Sequence, residues 1–187
     1  PNDQYFSYQW GFQDTGFGVR LPSARAYTKG EGVTVGIIDS GVRASLSDLA
    51  GVRFLPPYDA INGRQGGTDD NGHGSHVCGT IAQVTDNQAG CAGVAPLASI
   101  LSVKSLDANG RGTNFSLAAA IRYLADQGVK VANVSIGGPP SRTLEDAIKY
   151  AASKELLLIC SRGNGGNAAV TWPAAYPETL SVGAIEQ

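Results

Sequence analysis

The chain has 187 residues, of which 42% are hydrophobic and 16% are charged, and its formal net charge is −2 at pH 7. This length suits one domain with a sizeable hydrophobic core, and the composition is that of a globular rather than a disordered protein. The net charge and the lack of a basic cluster argue against a nucleic-acid partner, and no apolar run approaches the ~20 residues that span a bilayer. We therefore expect a single domain over residues 1–187, with no nucleic acid and no membrane among its partners.

Alternating strand and helix signals follow an aromatic N-terminal arm over residues 1–30. The first strand signal is a continuous apolar run over residues 33–38, which is typical of a strand buried on both faces of a parallel sheet. Residues 43–72 are rich in glycine, proline and asparagine, which indicates surface connections with a short strand near residues 52–54. Further strands are predicted at residues 99–106, 129–136, 156–160 and 179–185, and helices at residues 77–84, 114–128 and 143–154. The alternation predicts an α/β domain with a mostly parallel sheet flanked by helices.

The three cysteines have no metal-ligand spacing, so a zinc site is not expected. They are Cys78, Cys91 and Cys160. An odd number cannot all pair within the chain, and free cysteine is among the most buried residue types. We interpret them as small buried hydrophobic residues, and their disulfide state stays open at this point.

Several polar side chains follow the predicted strands, at the edge of a parallel sheet where ligands bind. Asp39 follows the first strand, Ser135 lies near the end of the third and Asn164 follows the fourth, while His73 stands at the entrance of a helix. Taken singly, such residues are more often caps or turn residues. Together they are the groups that acyl transfer needs, because a carboxylate orients an imidazole, the imidazole takes the nucleophile's proton and an amide donates to the oxyanion.

Four motifs resemble those of the subtilisin-like serine proteases, in the same order along the chain. They are Ile-Ile-Asp-Ser-Gly around Asp39, Gly-His-Gly-Ser-His-Val-Cys-Gly-Thr around His73, Asn-Val-Ser-Ile-Gly-Gly around Ser135 and Arg-Gly-Asn-Gly-Gly around Asn164. The resemblance covers nearly the whole chain and is closest to the thermitase and proteinase K branch. It implies a three-layer α/β/α fold and a secreted, extracellular serine endopeptidase that cleaves extended protein or peptide substrates with an Asp-His-Ser triad.

The resemblance also implies roles for individual residues. Asp39 would orient His73, His73 would be the general base, and the Asn164 side chain would complete the oxyanion hole. Proteases of this family bind the substrate as an added β-strand between two enzyme segments. The matching positions are Gly110, Arg111 and Gly112 on one side and Ser135, Ile136 and Gly137 on the other, with Ser161 and Gly163 walling the pocket for the residue before the scissile bond.

The nucleophilic serine of the family has no counterpart in this sequence. In the family it lies in a Gly-Thr-Ser motif that opens a later helix, and none of the three Gly-Thr pairs here is followed by serine. The resemblance therefore implies a peptidase domain incomplete at its C-terminus, before the nucleophile helix. The serine would come from a missing C-terminal segment or a second chain, and the chain alone would be inactive. A propeptide or an inhibitor is a further partner that the family implies.

A structural calcium ion is the cofactor that the resemblance implies. The family places it between the N-terminal arm, an aspartate after the first strand and an insertion that follows the histidine-bearing helix. Calcium prefers six to eight oxygen ligands, and the turn-forming residues 85–90 fit such an insertion, although a solvated loop without an ion is the alternative. The matching ligands are the side chains of Asp3, Asp48 and Asn87 and the carbonyl oxygens of Val84, Ala89 and Cys91.

Two other classes of function remain open on the sequence. A catalytically inactive module of the same fold could bind peptides through residues 135–137 as a regulatory or interaction protein. An unrelated α/β ligand-binding domain would require four ordered motifs to coincide, and no Gly-x-Gly-x-x-Gly follows the first strand.

Overall fold

A computed structural model describes residues 1–14, 16–166 and 169–185. Its strands are β1 (Thr34–Asp39), β2 (Arg53–Phe54), β3 (Tyr58–Asp59), β4 (Arg64–Gln65), β5 (Ser99–Lys104), β6 (Val131–Val134), β7 (Leu157–Ser161) and β8 (Thr179–Val182). Its α-helices are α1 (Leu21–Ala24), α2 (His73–Ala82), α3 (Asn114–Asp126) and α4 (Arg142–Ser153), and short 3-10 helices lie at Phe6–Tyr8, Trp10–Phe12 and Ser47–Leu49. None of the helices within these ranges is long and apolar enough to cross a membrane.

In the described residues the strands form one sheet in the spatial order β4-β3-β5-β1-β6-β7-β8, with β2 also paired to β5. The pairings are parallel, except for the antiparallel β3–β4 hairpin. Strand β1 is central, because it pairs with β5 along its whole length and with β6 on its other edge. The predicted α/β fold with a mostly parallel sheet is confirmed.

Helices cover both faces of the sheet, and alternate residues of β1 point to opposite faces. Ile38 packs with α3 and α4 in one apolar cluster that includes Leu124 and Ile148. Ile37 packs on the opposite face with Cys78 of α2 in a second cluster. Because β1 is covered on both faces and both edges, its C-terminal residue is held deep inside the protein.

The structure corrects two predicted spans. The helix predicted over residues 77–84 begins at His73 and ends at Ala82, so the histidine is its first residue and not a residue ahead of it. The connection predicted over residues 43–72 contains the β3–β4 hairpin. Strands of two residues are too short to show an alternating pattern in the sequence.

The packing of α3 predicts the effect of a core truncation. Leu124 is fully buried, and a Cβ atom at Gly36 of β1 would lie 2.5 Å from its Cδ1 atom. We expect Leu124→Ala to lower the free energy of unfolding by about 2–5 kcal/mol, because the surroundings cannot fill the cavity. Phe115→Ala is the matched control on the same helix, and since that side chain is 75% exposed its effect should stay within about 0.5 kcal/mol. If urea denaturation showed equal decreases in the free energy of unfolding for the two variants, this packing would be contradicted.

Candidate active site

Asp39 and His73 form a hydrogen-bonded carboxylate–imidazole pair at the carboxyl end of β1. The His73 Nδ1 atom lies 2.8 Å from Asp39 Oδ1 and 2.9 Å from Oδ2. The Asp39 side chain is 1% exposed, whereas that of His73 is 50% exposed. A neutral imidazole that donates from Nδ1 to a carboxylate keeps the lone pair on Nε2, so this geometry provides an oriented and accessible base.

A buried carboxylate caps the helix that carries His73. Asp69 Oδ1 accepts hydrogen bonds from the N–H groups of Asn71 at 3.0 Å and Gly72 at 2.9 Å. Asp69 Oδ2 accepts from the N–H and the hydroxyl of Ser75 at 2.9 and 2.6 Å. Burial raises the pKa of the Asp69 carboxyl, but the hydrogen bonds from Gly72, Ser75, Asn71 and Ser40 outweigh burial and hold this pKa well below its ordinary value. Asp69 is therefore charged across the physiological pH range.

Ser40 connects the end of β1 to the start of α2. Its hydroxyl donates to Asp69 Oδ1 at 2.8 Å and accepts from the Gly74 N–H at 2.9 Å. Its own N–H donates to Asp39 Oδ1 at 2.7 Å. The carboxylate that faces His73 and the helix that carries His73 thus share one supporting residue.

Two glycines allow the backbone to pack closely around the end of β1. A Cβ atom at Gly74 would lie 2.1 Å from the Gly41 carbonyl oxygen and 3.1 Å from Asp39 Cβ. Gly41 itself has φ +102°, and a Cβ atom there would lie 2.4 Å from the Gly67 carbonyl oxygen. Gly74 is required because a Cβ atom would clash, and Gly41 is required both for this reason and because its φ is positive.

Lys104 is a buried cation at the end of β5, the strand beside β1. Its Nζ atom donates to the carbonyl oxygens of Ser40 at 2.8 Å and Leu106 at 2.7 Å and to Asp70 Oδ1 at 2.6 Å. An ammonium group has three protons to donate, and here each has an acceptor, which offsets the cost of removing the charge from water. Lys104 thereby joins the turn after Asp39 to the loop before His73.

The predicted substrate segments border one groove. A cavity of about 350 Å³ is lined by Gly110, Arg111 and Gly112 and by Ile136 and Gly137. The first segment is held by Asp107 Oδ1, which accepts from the Arg111 and Asn109 N–H groups at 2.9 Å each. The hydrogen bonds from the Arg111 and Asn109 N–H groups lower the pKa of the Asp107 carboxyl. Ser135 follows β6 just before Ile136 and does not line this cavity.

The residues predicted to wall the neighbouring pocket also lie close together. Ser161 ends β7, and Asn164 occupies the exposed bend that follows it. A Cβ atom at Gly137 would lie 2.7 Å from Thr171 Oγ1, and one at Gly163 would lie 3.2 Å from the same atom. Gly137 and Gly163 thus both lie close to Thr171, which places the substrate segment near the residues that follow β7 and precede Asn164.

The six predicted calcium ligands lie where the N-terminal arm meets the loop after α2. Asp3 accepts from the N–H groups of Asp86 at 3.1 Å and Asn87 at 3.3 Å. Asp48 accepts from Asn87 Nδ2 at 3.1 Å and from the Cys91 N–H at 3.4 Å. The remaining two ligands are tied to the same loop, since the Val84 N–H donates to the Asp48 carbonyl oxygen and the Ala89 N–H to Asn87 Oδ1.

The chemistry of this loop fits a hard cation. Asp3 is 5% exposed, so a carboxylate is buried beside a loop that offers carbonyl and amide oxygens. Asp86 and Gln88 have φ of 66° and 63°, and a Cβ atom at Gly90 would lie 2.2 Å from Asp48 Oδ2. No three His, Cys, Asp or Glu side chains are grouped for a metal among the described residues, so a cation here would depend on two carboxylates with amide and carbonyl oxygens.

Comparison with known proteins decides the family. Residues 30–187 match the model of the subtilase family. The chain belongs to the subtilase family. It is 39% identical over its whole length to thermitase of Thermoactinomyces vulgaris, 40% to the thermophilic serine proteinase of Bacillus sp. (strain AK1), and 39% over 97% of its length to subtilisin BL of Lederbergia lenta. The chain spans 66%, 46% and 65% of these relatives, which is less than two thirds of their lengths.

The cysteines of this subtilase are all free. Cys78 and Cys160 are fully buried, and burial raises the pKa of each thiol to about 12. Cys91 is half-buried in the loop after α2. The prediction of small buried hydrophobic residues is confirmed for the first two.

Three residues that support the Asp39–His73 pair were not predicted from the sequence. Asp69, Ser40 and Lys104 make the contacts described above, and none of them was a candidate. Asp69 carried a signal, because an aspartate followed closely by asparagine and glycine is typical of a turn in which its side chain accepts from the N–H groups that follow. Ser40 and Lys104 carried none, since their partners are distant in the sequence.

The close approach at Gly74 predicts the effect of one added methyl group. We expect Gly74→Ala to lower the free energy of unfolding by about 1–3 kcal/mol, because the new Cβ atom would strike the Gly41 carbonyl oxygen. Gly79→Ala in the same helix is the matched control, since its Cβ atom would meet only the flexible end of Gln83, at 3.1 Å. Alanine favours a helix over glycine, so the control should be neutral or stabilising by up to about 1 kcal/mol. If urea denaturation gave the two variants the same free energy of unfolding, the proposed steric role of Gly74 would be contradicted.

Proposed function

We propose that this chain forms the greater part of the peptidase domain of a secreted, extracellular serine endopeptidase that cleaves extended protein or peptide substrates. The observation that carries the proposal is the contact of His73 Nδ1 with both oxygens of the buried Asp39 carboxylate. The named serine proteases among its relatives support it. Residues 1–187 would belong to one domain that is incomplete at its C-terminus.

In this mechanism Asp39 holds the Nδ1 proton of His73 and stabilises the imidazolium that forms. His73 Nε2 removes the proton of the nucleophilic hydroxyl as that oxygen attacks the peptide carbonyl carbon, and later gives the proton to the leaving amine. The Asn164 side-chain amide donates to the oxyanion, together with the backbone N–H of the nucleophile. The substrate lies as an extended strand between residues 110–112 and residues 135–137.

The nucleophilic serine would be supplied by a C-terminal segment or by a second chain. The Gly-Thr pairs of this sequence are already used elsewhere: one precedes the Asp69 loop, one lies inside α2, and Thr113 of the third caps α3. The chain by itself would then hold a base and an oxyanion donor without a nucleophile. A propeptide or an inhibitor would occupy the same groove as the substrate.

A fluorophosphonate probe tests the endopeptidase proposal, because it reacts with a serine that an adjacent base has activated. We expect the probe to label a polypeptide that contains a Gly-Thr-Ser motif and copurifies with, or continues, this chain. His73→Ala should reduce labelling and peptide hydrolysis by about 10⁴-fold or more. His76→Ala is the matched control, since His76 is an exposed histidine of the same helix, and it should leave both unchanged.

The same experiment distinguishes a second candidate function, which the groove between residues 110–112 and residues 136–137 favours. A catalytically inactive subtilase-fold module would bind an extended peptide in the groove, with an affinity that His73→Ala does not change. If mass spectrometry finds only this polypeptide and the probe labels nothing, the endopeptidase proposal is wrong and the peptide-binding alternative replaces it.

We also propose that calcium stabilises the fold at the loop after α2. Asp3, Asp48 and Asn87 would bind the ion with their side chains, and Val84, Ala89 and Cys91 with their carbonyl oxygens. The burial of Asp3 and the positive φ angles of the loop support this assignment. The ion would neutralise two carboxylates and hold the N-terminal arm against the domain.

Chelation tests the calcium proposal. Removing an ion present at about 100 times its dissociation constant should lower the free energy of unfolding by about 2.7 kcal/mol, because only the folded state binds it. Asp48→Asn should weaken this response to chelator in a thermal melt. Asp146→Asn is the control, since it removes a charge from an exposed carboxylate that pairs with Arg142 on its own helix. A melting temperature that does not respond to chelator would count against these ligands.

A further inference from the structure

Asp69 is a buried carboxylate to which the mechanism above assigns no role. It is 3% exposed, and its two oxygens accept five hydrogen bonds. Arg43 donates to the Asp69 carbonyl oxygen at 3.4 Å, but among the described residues the hydrogen bonds to the carboxylate oxygens come from backbone N–H groups and hydroxyls. Removing a carboxylate from water costs free energy, so the contacts of Asp69 indicate which segments it holds in place.

Several N–H groups that donate to Asp69 belong to the start of α2. The first N–H groups of a helix have no partner inside it, and here each one from residue 72 to residue 75 has an acceptor outside the backbone. Gly72 and Ser75 donate to Asp69, and Gly74 donates to the hydroxyl of Ser40, which itself donates to Asp69. The His73 N–H donates to Asn71 Oδ1 at 3.2 Å.

The same carboxylate also reaches the partner of His73. Ser40 directly follows Asp39 and donates its N–H to Asp39 Oδ1, while its hydroxyl is held by Asp69. Asp69 therefore fixes the backbone on both sides of His73 and the turn that carries Asp39. Asp39 and His73 meet at Nδ1, and the segments that carry both residues contact Asp69 directly or through Ser40.

We propose that Asp69 is a positioning residue that aligns Asp39 with His73 through the Ser40 hydroxyl and the first turn of α2. The inference rests on the proposed function, because alignment of this pair is what proton transfer from the nucleophile requires. Asp69 itself touches neither substrate nor the reacting atoms.

The chemistry requires a carboxylate at this position. Each oxygen of Asp69 faces at least two donors. An asparagine has nearly the same shape but would turn an NH₂ group toward one of these sets of donors, leaving buried N–H or O–H groups without acceptors. Ser40→Ala is a second and smaller change, because it removes the bridge to Gly74 and leaves the contacts between Asp69 and α2.

The first test is the low-field proton resonance of the His73 Nδ1–H, which reports its hydrogen bond to Asp39 and does not require turnover. We expect Asp69→Asn and Ser40→Ala to shift or abolish this signal in protein that circular dichroism shows to be folded. Asp59→Asn is the matched control. Asp59 is also a buried carboxylate that accepts from backbone N–H groups, but its side-chain contacts lie within residues 61–64. The His73 Nδ1–H resonance of this variant should therefore match that of the unchanged protein.

The second test uses peptide hydrolysis by the enzyme completed with its serine. Misalignment of the base should lower kcat by up to about 10²-fold with KM within about twofold, because Asp69 lies outside the substrate groove. A purely structural Asp69 would lower the melting temperature and leave the resonance and kcat of the folded protein unchanged, which would overturn the proposal. If Asp69→Asn fails to fold, Ser40→Ala decides: an altered signal supports the proposal, and an unaltered signal overturns it.

The two proposals fail in different ways. Failure of the endopeptidase proposal would appear as absent probe labelling while the Nδ1–H resonance still responds to Asp69→Asn. Failure of the positioning proposal would appear as full labelling and an unaltered resonance in the same variant.

Discussion

The burial of the Asp39 carboxylate is the constraint on which the rest of the site depends. A strand covered on both faces and both edges delivers this charge to the interior, where an ionised group is costly unless donors reach it. The donors that the structure shows are the Ser40 N–H and His73 Nδ1. Docking of the first residue of α2 is therefore part of folding the central strand, and the same contact that stabilises the carboxylate orients the imidazole.

Helix α2 has little intrinsic reason to begin where it does. Its ten residues include two glycines and three β-branched residues, and its N-cap Gly72 offers no side chain. The start is determined by acceptors that come from outside the helix, namely Asp69, Asn71 and Ser40. The position of His73 is thus a tertiary property, which explains why a network of polar groups and two glycines surrounds a single imidazole.

The sequence predicted those parts of the structure that local patterns determine. The apolar run at residues 33–38 became Thr34–Asp39, and the helical spacing of Leu117, Ile121 and Leu124 became α3. The pairing of Asp39 with His73 was predicted from the resemblance of two motifs to those of a known family and not from a local pattern. The predicted start of α2 was four residues too late. One reason is that the Gly74 N–H in its first turn donates to the Ser40 hydroxyl, which lies 34 positions away in the sequence. Asp69 and Asn71 hold the same start from nearby positions, but the Ser40 contact has no local signal because it exists only after folding.

The segment that follows β1 fixes α2 at both ends. Ser40 accepts from Gly74 in the first turn, and the Asp48 carbonyl oxygen accepts from the Val84 N–H just beyond the last turn. Because α2 is held at both ends, it can shift as a rigid body only if the Ser40–Gly74 and Asp48–Val84 contacts change together. The proposed calcium site therefore lies at one end of the helix whose other end carries His73, and Asp48 belongs to the segment that leads back to Asp39. The contacts at the two ends of α2 would therefore connect an ion bound at the proposed calcium site to the position of His73 opposite Asp39.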